Sequence, residues 1–128
     1  MGQCYRIVNI DKKEYLNPYV FGDGAKLLEF GSSGSGTMCA LACLLANSNN
    51  RGGGDLRSEN PLIGSWAGDR IVIAGDYAIK GDPAETADTT LYDQCRESFK
   101  DISRVARDMI CEDSYIAESI GIGWTQET

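Results

Sequence analysis

Histidine is absent from the 128-residue chain, and with it the side chain that most often moves protons near neutral pH. Acid–base chemistry would fall to Asp, Glu, Tyr or Cys with displaced pKa values. Basic residues are few against acidic ones, 12 to 19, which gives a formal net charge of −7. That balance repels polyanions and leaves no basic stripe for a phosphate backbone. General nucleic-acid binding is thereby excluded, whereas a small anion held by a few local donors is not. No apolar run approaches the ~20 residues of a membrane-spanning helix; the longest covers residues 38–46. The opening Met1-Gly2-Gln3-Cys4-Tyr5-Arg6 has Arg6 where an N-myristoylation signal requires Ser or Thr, so neither span nor lipid anchor is expected.

Cysteine is present but lacks the patterns that give it a role. Cys4, Cys39, Cys43, Cys95 and Cys111 are odd in number, contain no CxxC pair and follow no secretory leader, which points to a reduced, cytoplasmic protein. Cys39 and Cys43 share a helix face at a spacing of four, but with no His to complete a tetrahedral set they read as packing residues. No metal and no cofactor are expected.

What is there suits one α+β domain, with 42% apolar and 24% charged residues. Residues 5–10 and 14–16 flank Asp11-Lys12-Lys13 as a β-hairpin placed at or near a sheet edge, which Asn17-Pro18 ends. Residues 25–30 favour a short helix. Met38, Leu41, Ala42 and Leu45 recur at helical spacing, Ala40 and Leu44 fill the other side, and no charged residue stands between Glu29 and Arg51. This predicts a buried central helix with Thr37 as its N-cap. Residues 47–60 form a polar loop. Residues 70–74 read as a central strand covered on both faces. Thr90 with Asp93 opens a C-terminal helical region, one helix or two, whose buried stripe is Leu91, Cys95, Phe99, Ile102, Ala106, Met109 and Ile110. Residues 115–124 are expected to add a last strand. The architecture expected is a single compact domain, residues 1–128, with a mixed or antiparallel sheet.

The densest motif is Gly31-Ser32-Ser33-Gly34-Ser35-Gly36-Thr37 at the start of the buried helix. It has the glycine spacing of the phosphate-binding pattern GxxxxGK[ST], but Thr37 stands where the lysine belongs and Met38 where the second hydroxyl belongs, which argues against a triphosphatase. Unpaired N–H groups, hydroxyls and a positive helix end would still receive an anion; a solvated turn capped by its own side chains is the alternative. A second glycine run, Gly52-Gly53-Gly54, lies between Arg51 and Arg57, whose guanidinium groups form forked bonds to phosphate or carboxylate. Trp66 would stack on a base and Arg70 would meet its phosphate, unless core packing and an ion pair claim them. Gly-Asp recurs at Asp23, Asp55, Asp69, Asp76 and Asp82, mostly as turn chemistry; convergence of Asp55, Asp69 and Asp76 would instead hold Mg²⁺.

The segments MGQCYRIVNIDKKEYLNP, RGGGDL and GSWAGDRIVIAGDYA resemble a group of small prokaryotic and phage proteins to which no activity is attached. The resemblance brings no catalytic residues. Its phage setting implies a context in which sequestering a nucleotide signal would make sense.

These readings combine into an expectation. The chain is a non-catalytic binding module for a small anionic or nucleotide-like molecule, acting through Gly31 to Thr37, Arg51, Gly53, Arg57, Trp66 and Arg70 and assembling as a homo-oligomer. An Asp-based metal-dependent phosphoesterase and a protein-interaction domain without ligand are the competing readings.

Overall fold

A computed structural model describes residues 2–53 and 58–120. It is an α+β domain built on one four-stranded mixed sheet. Strand β1 (Tyr5–Asn9) and strand β2 (Glu14–Leu16) form the expected antiparallel hairpin, with Ile7 opposite Leu16 and Asn9 opposite Glu14. Strand β3 (Ile71–Gly75) pairs antiparallel with β1, and the two-residue β4 (Lys100–Asp101) lies parallel to β2, so the order is β3-β1-β2-β4. The hairpin therefore occupies the middle of the sheet rather than its edge. Conversely, among the described residues β3 is an edge strand and not the central one its apolar sequence suggests.

Two apolar layers explain why an edge strand reads as a buried one. Successive residues of a strand face opposite sides. Ile7, Leu16 and Ile71 pack on one face with Phe21, Phe30, Leu44, Trp66, Ile102 and Met109, while Val8, Tyr15, Val72 and Ala74 pack on the other with Leu91 and Cys95. Both faces of β3 thus touch the core, but among the described residues only one of its edges is paired.

Helix α1 (Leu27–Gly31) and helix α2 (Thr37–Leu45) fall where the sequence places them. Pro18 opens a 3-10 helix, Pro18–Phe21, whose N-cap Asn17 accepts from the Tyr19 N–H at 3.1 Å. The C-terminal region resolves into two helices before the tail: α3 (Leu91–Ser98), with Thr90 as N-cap, and α4 (Ser103–Glu112). The break arises because the intervening strand β4 and its flanks bond to the hairpin. Lys100 N–H donates to the Lys13 carbonyl at 2.9 Å and Ile102 N–H to the Tyr15 carbonyl at 3.1 Å. Residues 115–120, read from sequence as the start of a strand, belong to helix α5 (Ser114–Ile120); the rest of that expected strand lies outside the described residues. Among the described residues no helix is long and apolar enough to cross a membrane.

Candidate functional site

The N-terminus of α2 carries the glycine- and serine-rich motif, and a carboxylate of the chain already occupies it. Asp23 Oδ2 accepts from the Thr37 N–H at 2.8 Å, the Thr37 hydroxyl at 2.6 Å and the Ser33 hydroxyl at 3.0 Å. Thr37 is the first helical residue rather than the N-cap; that place belongs to Gly36, which makes no side-chain cap. A Cβ on Gly36 would stand 2.5 Å from Asp23 Oδ2, so glycine is needed there to admit the carboxylate. A negative group at this end complements the helix dipole and satisfies the first orphan donor. Ser32 closes back on the Leu28 carbonyl at 2.8 Å, while Gly31 ends α1, and neither Gly31 nor Gly34 has an atom within 4 Å of where a Cβ would project. The motif is an ordered, self-capped turn whose hydroxyls at Ser32, Ser33 and Thr37 bond within the chain, with Ser35 beside them.

The opposite end of α2 opens on a polar cleft of about 310 Å³. Asn47, Ser48, Asn49 and Arg51 form one wall; Ser58, Glu59 and Asn60 form the other. Ser48 and Asn50 have φ of 69° and 68°, and Gly52 and Gly53 have φ of 86° and 75°. This alternation folds a short, polar stretch tightly around its own backbone, at a conformational cost that non-glycine residues usually bear only where the surroundings hold them. The floor is rigid. Gly64 N–H and Trp66 N–H donate at 2.9 Å to the Cys43 and Leu44 carbonyls, the last turn of α2, and Asn60 Oδ1 accepts from the Leu62 N–H at 2.9 Å. Two carbonyls of the last helical turn thus have partners and present less negative charge to a ligand.

The remaining sequence candidates are dispersed. Trp66 is 0% exposed and donates Nε1–H to Glu14 Oε1 at 2.8 Å, which makes it a core residue with no face for a ligand. Arg70 lies across the sheet and forks onto Asp11 Oδ1, through Nε at 3.0 Å and Nη2 at 2.8 Å. Arg57 and Asp55 are outside the described residues. Asp69 and Asp76 flank opposite ends of β3 and do not meet: Asp69 accepts from Asn9 at 2.9 Å and Lys12 at 2.7 Å, Asp76 from the Cys4 N–H at 2.9 Å. Among the described residues no three His, Cys, Asp or Glu side chains are grouped to hold a metal ion. Sequence reading missed Asp23, Asn47, Ser48, Asn49 and Asn60. The only available signal was their concentration in polar turns beside a charge-free helix.

Titration follows these contacts. The Arg70 guanidinium bonded to Asp11, and Asn9 with Lys12 bonded to Asp69, hold both carboxyls below their ordinary pKa. A lowered folded-state pKa adds stability above the unfolded value, and that contribution disappears as pH falls through the folded value. We therefore expect Asp11→Asn to reduce the acid sensitivity of thermal stability below about pH 4, read as a shallower fall of Tm with pH; an identical pH profile would refute the assignment. In α2 the Cys43 thiol, hydrogen-bonded to Cys39 and buried, is pushed far up and stays protonated, while Cys39 is lowered by the same bond. All five cysteines are free thiols.

Comparison with protein-family models, curated proteins and solved structures found no match for the chain.

Proposed function

We propose that this protein is a non-catalytic binding module for a small anionic ligand of nucleotide size, and that the ligand sits in the cleft around Arg51. The observation that carries the reading is the lining of that cleft: one guanidinium and one carboxylate, Glu59, beside Asn47, Ser48, Asn49, Ser58 and Asn60 in about 310 Å³. A guanidinium supplies five N–H donors in a fork matched to phosphate or carboxylate, and amides and hydroxyls complete a polar shell of the kind that orients a ligand. The volume is at the lower end of small-molecule sites, which suits one nucleotide or a phosphorylated sugar and nothing much larger. The glycine-rich turn at the other end of α2 is the less favoured place, because Asp23 already holds its donors. Separation of Asp69 from Asp76, each with its own partner, speaks against an Asp-based phosphoesterase. Binding without turnover is what sequestration of such a ligand requires.

Isothermal titration with AMP, ADP, a cyclic nucleotide and inorganic phosphate, paired with product analysis, tests the reading. Wild-type protein is expected to bind at least one of them without turnover, and Arg51→Ala to weaken that binding about 10- to 100-fold, the range of one hydrogen bond to a charged group. Gly34→Val, whose position faces open space, is expected to leave affinity unchanged. Silence across the panel, or equal affinity of Arg51→Ala and wild type, refutes the proposal. Loss of binding in Gly34→Val would move the site back to the turn.

A further inference from the structure

The free edge of β3 carries an inference that does not depend on the ligand. In an antiparallel pair, hydrogen-bonded residues alternate with non-bonded ones. The register of β1 with β3 sets Arg6 opposite Ala74 and Val8 opposite Val72. The bonds flanking it, Ile10 N–H to the Arg70 carbonyl at 3.0 Å and Asp76 N–H to the Cys4 carbonyl at 2.9 Å, show which set is bonded. Arg70, Val72, Ala74 and Asp76 turn their backbone groups toward β1. Ile71, Ile73 and Gly75 turn theirs outward, where β3 ends the strand order and no strand follows among the described residues. Among the described residues only the Gly75 carbonyl has a partner there, the Ala78 N–H at 3.2 Å.

Soluble proteins usually protect such an edge with a charge, a proline or a bulge. Ile71-Val72-Ile73-Ala74-Gly75 has neither charge nor proline, its five residues all keep register with β1, and the Ile73 side chain is 41% exposed. The edge is built to be covered.

We infer that a second copy of this chain covers it, by two-fold antiparallel pairing of β3 with β3 centred on Ile73. Charge complementarity selects the occupant and the register. Centring on Ile73 sets Ile71 opposite Gly75 of the second copy, so that the Ile73 N–H and carbonyl, the Ile71 carbonyl and the Gly75 N–H find partners, while the Gly75 carbonyl, already bonded to the Ala78 N–H, would take the Ile71 N–H as a second donor. The flanking pair then sets Arg70 directly opposite Asp76 of the second copy, twice by symmetry, at the closest cross-strand spacing. Arg70 is free to serve both partners: its side chain is 73% exposed, and Asp11 takes two of the five guanidinium N–H groups. Asp76 is exposed and uses Oδ1 on Cys4, which leaves Oδ2 to accept. Centring on Ile71 would place Arg70 opposite Val72 and lose both ion pairs. In the two-fold arrangement the two four-stranded sheets become one continuous sheet, and Ile73 packs against its symmetry mate.

Sedimentation equilibrium from micromolar to millimolar concentration tests this. The wild-type chain is expected to dimerise. Ile73→Pro removes an outward N–H that β1 does not use, so the fold should survive by circular dichroism while dimerisation weakens tenfold or more. Arg70→Asp and Asp76→Arg each bring like charges together in the homodimer and should weaken it about tenfold. An equimolar mixture of these two variants restores both opposite-charge pairs and should dimerise nearly as tightly as wild type. A monomeric wild type at all concentrations, unchanged dimerisation of Ile73→Pro, or a mixture no tighter than either variant alone would overturn the inference. Dimerisation unaffected by Ile73→Pro would assign the interface to another surface.

Discussion

Trp66→Ala is expected to lower the unfolding free energy by about 3–5 kcal/mol, the largest effect of any single truncation proposed for this chain. Trp66 is fully buried, the largest side chain so placed among the described residues, and it lies in the apolar layer shared by β1, α2 and α4. Its removal opens a cavity where neighbours from several elements cannot all collapse inward. It also strands Glu14, whose Oε1 accepts the indole N–H and whose backbone belongs to the central hairpin. Trp66→Phe keeps much of the volume and loses the bond, and should cost about 1–3 kcal/mol. Urea unfolding followed by circular dichroism decides the matter; a loss below about 1 kcal/mol for Trp66→Ala would mean that the side chain is not the core anchor described.

The second large effect belongs to Asp23. Asp23→Ala removes the acceptor of three hydrogen bonds, leaving the fully buried Thr37 hydroxyl and the helix N–H without a partner. The expected loss is about 2–4 kcal/mol, above an ordinary cap deletion because the donors are buried and the acceptor is charged. Gly36→Ala should mimic part of it, since the new Cβ would displace the carboxylate. The same variant reveals what the turn is capable of. With Asp23 gone, the positive end of α2 becomes a vacant anion site, so sulfate should raise Tm more for Asp23→Ala than for wild type. If Asp23→Ala unfolds at the wild-type urea concentration, the carboxylate does not cap α2. If it is destabilised but insensitive to sulfate, the turn offers no ligand a usable nest.

Both results bear on how a glycine-rich motif is to be understood. The stretch from Gly31 to Thr37 has donors, glycines and a helix behind it, and these are legible in the sequence. Whether the donors face a ligand depends on what else reaches them. Here the group that does so comes from Gly22-Asp23-Gly24, a turn separated from Thr37 by α1. The cleft at Arg51 is the converse case. Its residues are individually unremarkable polar loop residues, and they acquire a candidate role only because residues 58–66 fold back across the end of α2, where Gly64 and Trp66 bond to the Cys43 and Leu44 carbonyls.

The sequence by itself determined the elements whose causes are local: the hairpin around Asp11-Lys12-Lys13, the apolar helix after Thr37 and the cap at Thr90, together with the want of histidine. Periodicity, capping and turn preference act over a few residues, so they survive without knowledge of the fold. Tertiary structure decided the rest. It set the strand order that moves the hairpin to the centre and β3 to the edge, broke the C-terminal helical region by tying residues 100–102 to the hairpin, and buried Trp66 against Glu14. It also gave the α2 N-terminus to Asp23 and left the α2 C-terminus facing a polar cleft. Each of these depends on contacts between segments distant in the chain. An apolar strand has the same composition whether one edge or both are paired, and an arginine the same side chain whether it meets an aspartate or a phosphate. Which partner arrives is a property of the packed chain.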